Sequence, residues 1–198
     1  MESGFWFGEV YIAGFNCKHQ MSKAIRHVGF CPQDKGFNPL LTPREIFQHF
    51  LLITGVKKSS RLKIILELSI SLKLRRYMNT RIQYLPENIK RRVNVAVALI
   101  VNNHIIILDE PCRGLSSFDR QLIWSILKYS RSLGNTIIFT SFDTLDLKEL
   151  ADEIIIVNDG EMLAYDNPHI IEYQYNIGFC LEIKLYTDGV TLEEVEEK

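Results

Sequence analysis

Residues Ile105-Ile106-Ile107-Leu108-Asp109-Glu110-Pro111 form an unbroken apolar run that stops at two adjacent carboxylates and a proline. A β-branched run with no polar alternation is expected of a central parallel strand covered on both faces, because such a strand has no solvated side. Both acids are then delivered to whatever lies beyond the end of that strand. In a nucleotide-hydrolysing site the first acid would hold Mg²⁺, usually through water, and the second would orient or deprotonate the attacking water. The same pattern fits a buried strand that merely ends in an acidic turn, so the flanking sequence has to decide.

Downstream, the spacing of apolar residues predicts a helix over 117–132 stopped by Gly134, a strand from Thr136 to Thr140, a helix from Leu145 to Leu150 and a strand from Glu153 to Val157. Strands alternating with helices imply βαβ units and a parallel sheet. Asn158-Asp159-Gly160 then predicts a tight hairpin turn into Met162–Tyr165.

Upstream, Pro86 opens a predicted helix through Val93, Ala96, Val97 and Ile100, and Leu62, Ile65, Leu66 and Ile70 recur at helical spacing between Lys57 and Leu74. Thr42-Pro43-Arg44-Glu45 supplies a capping threonine, a proline at the first helical position and a glutamate at the third, ahead of an apolar run to Thr54. Residues from 42 to about 92 therefore read as a helical insert. Gly8–Gly14 and Ile25–Cys31 read as short strands joined by a polar loop, and the fold class is α/β, a mainly parallel sheet with antiparallel strands at the N-terminus and the helical insert.

The 198 residues, 46% of them hydrophobic, can bury one substantial core, which argues for a single domain with at most a small inserted lobe. A formal charge of −1 gives no global attraction to phosphate backbones, which argues against nucleic acid as a partner. Basic residues nevertheless cluster at Lys57-Lys58, Arg61–Lys63, Lys73–Arg76 and Lys90-Arg91-Arg92. Such clusters are either solvated helix faces or a docking surface. Cys17, Cys31, Cys112 and Cys180 are scattered, which suggests neither zinc nor a disulfide scaffold and is simplest in a reduced cytosolic compartment. The opening residues lack the pattern of a signal peptide, and no apolar stretch approaches bilayer length.

The acidic strand end, the helical insert before it and the strand order after it resemble the nucleotide-binding domain of ABC transporters, and the local wording is similar to the A subfamily associated with lipid export. The resemblance runs from Gly8 to about Leu185, with the domain taken as 1–185 and an acidic tail over 186–198. Val28-Gly29-Phe30-Cys31-Pro32-Gln33-Asp34 is similar to the Q-loop segment, which implies that Gln33 senses Mg²⁺ and the attacking water. Ile105–Pro111 resembles the Walker B segment, implying Asp109 as an Mg²⁺ residue and Glu110 as the general base. Gly114-Leu115-Ser116-Ser117 occupies the D-loop, with Ser116 where the family has aspartate. Tyr175–Ile183 looks like the glycine-aromatic-strand element that ends A-subfamily domains. ATP and Mg²⁺ are the implied cofactors. A second nucleotide-binding domain and transmembrane domains are the implied partners, at the cytosolic face of a membrane.

Several positions depart from that pattern. Leu85-Pro86-Glu87-Asn88-Ile89-Lys90-Arg91-Arg92 stands where the subfamily carries LSGGxKRR; the basic triplet matches and Pro86, Glu87 and Asn88 do not. Glu87 would set a carboxylate near an anionic phosphate, and Pro86 removes a donor N–H. Phe142 stands at the position of the switch histidine. No GxxxxGK(S/T) loop, which would grip the phosphates with backbone N–H groups and a lysine, occurs in the sequence; in the family it lies upstream of Gly8–Gly14. Hydrolysis by this polypeptide alone is therefore expected to be negligible. Three readings stand: a degenerate nucleotide-binding domain working beside an active one, an ordinary ATPase domain represented by an incomplete sequence, and a non-enzymatic interaction protein that retained the sheet.

Overall fold

The computed structural model describes residues 8–33, 36–100 and 105–175. Two compact units divide at Ala151/Asp152. In the first, the apolar run forms β4 (Ile105–Leu108), the middle strand of a parallel sheet between β3 (Val28–Cys31) and β5 (Thr136–Phe139). Val28 lies opposite Ile105 and Cys31 opposite Leu108, while Ile105 lies opposite Thr136 and Leu108 opposite Phe139. The three strands therefore end level with one another.

One face of this sheet is closed and the other is not. Ile106 and Leu108 point into a core with Cys31, Val95, Ala98, Ile123 and Leu127. That side is built by α4 (Glu87–Ile100) and α5 (Ser117–Ser132). Helix α4 passes so near that a Cβ on Gly29 would overlap the carbonyl oxygen of Ala98. On the opposite face Phe30 and Ile138 are 54% and 55% exposed, and Ile107 between them is half-buried. The expectation of a strand covered on both faces is thus corrected: β4 is central in pairing order but buried on one side only.

Before β4 comes a helical layer. Helix α2 (Pro43–Ile53) starts at the predicted box: Thr42 Oγ1 accepts the N–H of Glu45 at 3.3 Å, and Glu45 Oε2 accepts the N–H of Thr42 at 2.8 Å. Helix α3 (Lys58–Ser71) and α4 complete a second core around Phe47, Leu51, Leu72, Leu74 and Val93. Because α4 contributes to both cores, it is buried nearly all round.

The start of the chain differs from expectation. Gly8–Gly14 is not one strand but holds the first strand and the turn of a small hairpin, β1 (Tyr11–Ile12) with β2 (Phe15–Asn16), because Ala13 and Gly14 both adopt left-handed φ values of 50° and 79°. The expected polar loop is α1 (Cys17–Ala24), capped by Asn16, whose side chain accepts from the Lys18 N–H at 2.8 Å, and bent at Gln20. Ile25–His27 forms a 3₁₀ turn, which delays β3 to Val28.

Helix α6 (Thr144–Leu150) ends the first unit. The second contains β6 (Ile154–Asn158), β7 (Glu161–Asp166) and α7 (Pro168–Tyr175). Asp159 and Gly160 at φ 49° and 81° form the predicted turn, so β6 pairs antiparallel with β7 and is not a strand of the β3–β4–β5 sheet. The element proposed over Tyr175–Ile183 and the acidic tail fall, except for Tyr175, outside the described residues.

Candidate functional site

Parallel strands that end level bring their following loops to one edge, where α/β sheets carry their sites. Here that edge gathers Pro32-Gln33 after β3, Asp109-Glu110 after β4 and Thr140-Ser141-Phe142 after β5. The ladder extends one step past the strands: the Asp109 N–H donates to the Cys31 carbonyl at 2.8 Å and the Thr140 N–H to the Leu108 carbonyl at 3.0 Å. The Thr140 hydroxyl then donates to Asp109 Oδ1 at 2.6 Å and accepts the Glu110 N–H at 3.0 Å. One threonine therefore holds the Asp109 carboxylate and the Glu110 backbone.

Glu110 adopts a left-handed φ of 50°, a strained conformation for a residue with a side chain. The residue is buried to 7% exposure. Burial pushes the Glu110 carboxyl above the usual range, opposed by Arg113 and by the Phe142 backbone N–H that it accepts, and assisted by the charges of Asp109 and Asp146. A raised carboxyl is a better proton acceptor near neutral pH than an exposed one.

Glu110 lines a cleft of about 430 Å³ together with Arg113, Ser141, Phe142 and Asp146. Its wall is a polar lattice. Asp146 accepts from Trp124 Nε1 and from Ser141 Oγ, each at 2.8 Å, while Arg120 pairs with Asp143 and lies 3.7 Å from Asp146. The Asp143 carboxylate is held below its usual range by the Leu145 N–H it caps and by Arg120. The lattice fixes the Ser141–Asp143 turn and leaves Phe142 pointing outward at 89% exposure. Cys112 on the same wall is buried, and desolvation and Asp146 push its thiol upward, so it is no thiolate nucleophile.

A second cleft, also about 430 Å³, is lined by Gln33, Glu87, Asn88, Arg91, Arg113 and Gly114. The two clefts share the Arg113-Gly114 turn but not the other predicted residues: Gln33 does not line the one that holds Glu110. At this second cleft α4 begins. Leu85 and Ile89 are core residues, and the Pro86 carbonyl accepts the N–H groups of Ile89 and Lys90 at 3.0 Å. The exposed Glu87 carboxylate lies in the first turn and pairs with Lys90 at 2.9 Å. The positive end of the helix thus already carries the chain's own anion.

Asn88 is turned inward, its Nδ2 donating to Asp119 Oδ2 at 2.8 Å, while Asp119 Oδ1 pairs with Arg92 in a buried bridge. Ser116 is the N-cap of α5, accepting the Asp119 N–H at 3.2 Å. Arg91 donates to the Pro32 carbonyl at 3.3 Å and so ties α4 to the β3 edge. Thr140, Arg113, Asp119 and Asp146 went unnoticed in the sequence, because each acts through a partner 22 or more residues away or through a shared cleft rather than within a motif.

The donor set at the strand ends, a carboxylate with a bound hydroxyl beside a second carboxylate, offers hard oxygens of the kind Mg²⁺ prefers. No cluster of three acid, histidine or cysteine groups occurs among the described residues. These residues suit an ion that keeps its water and takes further ligands from a phosphate, and do not form a closed metal cage.

A family model described as "ABC transporter" matches residues 7–113. The chain is 29% identical over 177 residues to ATP-binding cassette sub-family A member 17 of Rattus norvegicus, covering 89% of this chain and 10% of that one. It is 26% identical to phospholipid-transporting ATPase ABCA3 of Homo sapiens, over 89% and 10%, and 28% identical to ABC transporter A family member 4 of Dictyostelium discoideum, over 89% and 11%. The chain thus spans about a tenth of the length of the curated relatives it matches. Among solved structures, a dimeric ATP-binding cassette in a post-hydrolysis state bound to ADP and Pi aligns with TM-score 0.74 at 27% identity, over 82% of this chain and 74% of that one. The ATP-binding subunit of an ABC transporter aligns with TM-score 0.75 at 16% identity, over 83% and 68%, which speaks to the fold alone.

Proposed function

This chain belongs to the ABC transporter family, with relatives in the A subfamily, and on that premise we propose that it couples ATP binding and hydrolysis to transmembrane lipid transport while hydrolysing little by itself. The observation that carries the reading is the Thr140 hydroxyl clamping Asp109 and Glu110 at one edge of a parallel sheet. Asp109 would hold Mg²⁺ through water, Glu110 would take the proton of the attacking water and Gln33 would sense both. Bound Mg²⁺ would neutralise charge developing on the phosphates. Burial of Glu110 and the Phe142 N–H that it accepts hold its carboxylate in place. Lipid as cargo is suggested by the relative named a phospholipid-transporting ATPase.

Weak activity is favoured by two features of the site. Glu87 opposes an anion at the start of α4, and the Phe142 side chain offers no hydrogen bond where its loop meets the cleft. The working assembly would be a pair of nucleotide-binding domains beneath transmembrane domains, at the cytosolic face of a membrane. No helix among the described residues is long and apolar enough to cross a membrane.

The same two features favour a second reading, a non-enzymatic partner that lends its sheet and helices to another domain. The test is MgATP turnover and phospholipid flux in vesicles containing the transporter that carries this domain, wild type against Glu110→Gln. The first reading expects no turnover by the isolated chain, and in the transporter a loss at this site on the order of 10²-fold or more. Unchanged turnover and flux, with no MgATP-induced shift in melting temperature of the isolated chain, would leave the second reading.

A further inference from the structure

We propose that the outer face of α3 docks on an anionic lipid surface, a role that goes beyond the nucleotide site and does not depend on it. Helix α3 sends Ile65 and Ser69 into the helical core, as a helix with one partner layer should. It carries a second apolar row on its outside. Leu62, Leu66 and Ile70, spaced by four residues and so stacked on one side of the helix, are 67%, 50% and 53% exposed. The row needs a cover that α2 and α4 do not give it.

What surrounds the row argues for lipid. Lys57, Lys58, Arg61 and Lys63 lie at the start of the helix and Lys73, Arg75 and Arg76 just past its end, against a single acid, Glu67, in the whole of 57–76. Glu67 approaches only Lys63, at 3.9 Å across two exposed side chains, a contact that leaves most of the charge available. Arg61 Nε donates to the Val56 carbonyl and Lys73 lies over the Phe118 ring, so both ends are pinned to the fold rather than trailing from it. This concentration of positive charge stands in a chain whose formal charge is −1.

A nucleic acid would use the basic groups but has no use for three aliphatic side chains between them. Protein interfaces centre on aromatic and arginine anchors and are depleted in lysine. Here the exposed row is Leu and Ile only, and four of the seven flanking cations are lysine. Aliphatic residues immersed among headgroups, with lysine and arginine along the sides, are what an interfacial helix presents to anionic lipid. The row lies on a convex helix outside both clefts, which suits a flat surface better than an inserted segment.

The test is co-sedimentation of the full chain with vesicles of phosphatidylcholine alone or with 30 mol% phosphatidylserine, roughly the anionic content that gives a negative cytoplasmic-type surface. Wild type should pellet with the anionic vesicles and not the neutral ones, and rising salt should release it. K73E/R75E/R76E should weaken partitioning on the order of a hundredfold, from roughly fivefold per cation, and L62S/L66S/I70S at least about tenfold. These six positions are surface-facing in the fold, so circular dichroism and melting should match wild type for both variants. Absence of wild-type binding, equal binding to neutral vesicles, or retention of binding by either variant overturns the proposal. Concentration-dependent dimerisation lost in L62S/L66S/I70S, without vesicle binding, would assign the face to a second copy instead.

Discussion

The two faces of the β3–β4–β5 sheet share one set of strands and differ in nearly everything else. On one, Ile106 and Leu108 meet α4 and α5 with almost no accessible surface; on the other, Phe30, Ile107 and Ile138 form a rung across all three strands, half of it in solvent. Parallel sheets are ordinarily covered on both sides, so an apolar sequence reports the need for a cover, not its presence. Along β4 the difference can be read between adjacent residues. Leu108→Ala should cost about 4 kcal/mol, as a truncation deep in a packed core does, and Ile107→Ala about 1 kcal/mol, as one at a half-wet position does. Urea unfolding of the two variants measures the contrast directly, and equal midpoints would mean that the open rung is packed in solution.

Closeness on the covered side can be probed without removing any side chain. Gly29→Ala places a methyl group against the Ala98 carbonyl, and backbone on both sides cannot swing away as a flexible side chain would. A loss of about 3 kcal/mol is expected, at the upper end for overpacking. Ala98→Gly would not relieve it, because the obstacle is the carbonyl oxygen and not the alanine methyl. A double variant as unstable as Gly29→Ala, or more so, supports this account of the contact; recovery by the second substitution would refute it.

Much of this was readable from local sequence, and the exceptions have physical causes. The Thr42–Glu45 box and the Asp159-Gly160 turn depend on neighbours within four residues, so their chemistry is written in the chain. The helical insert was readable because α4 carries an apolar pattern on enough of its surface to join two cores. The open face was not readable, since Ile105-Ile106-Ile107 reads the same whether or not a layer lies above it. Helix α1 was missed because Cys17–Ala24 has little apolar periodicity and is set off by the Asn16 cap. At the site, Asp109 and Glu110 stood out as a pair, whereas Thr140, which joins them, looked like any strand-end threonine until β5 was paired with β4. The Asn88–Asp119–Arg92 lattice was hidden for the same reason: its members are 27 and 31 residues apart.

Glu110 is a charged group buried just past the end of β4, between the logic of the two faces, and it gives the smallest and most diagnostic effect. Its carboxyl is raised in the folded protein, chiefly by desolvation. The folded state therefore holds a proton that the unfolded chain has already released, in the window from the usual carboxylate range up to the raised value. Stability from this group is full below that window and is lost as pH rises through it. Glu110→Gln, which keeps the shape and cannot ionise, should remove that loss. The difference in melting temperature between variant and wild type should then grow in the variant's favour from acid toward neutral pH and level off above the window. The opposite slope would mean that Arg113 and the Phe142 N–H outweigh burial, leaving Glu110 a permanently ionised strand end with a weaker claim to act as a base.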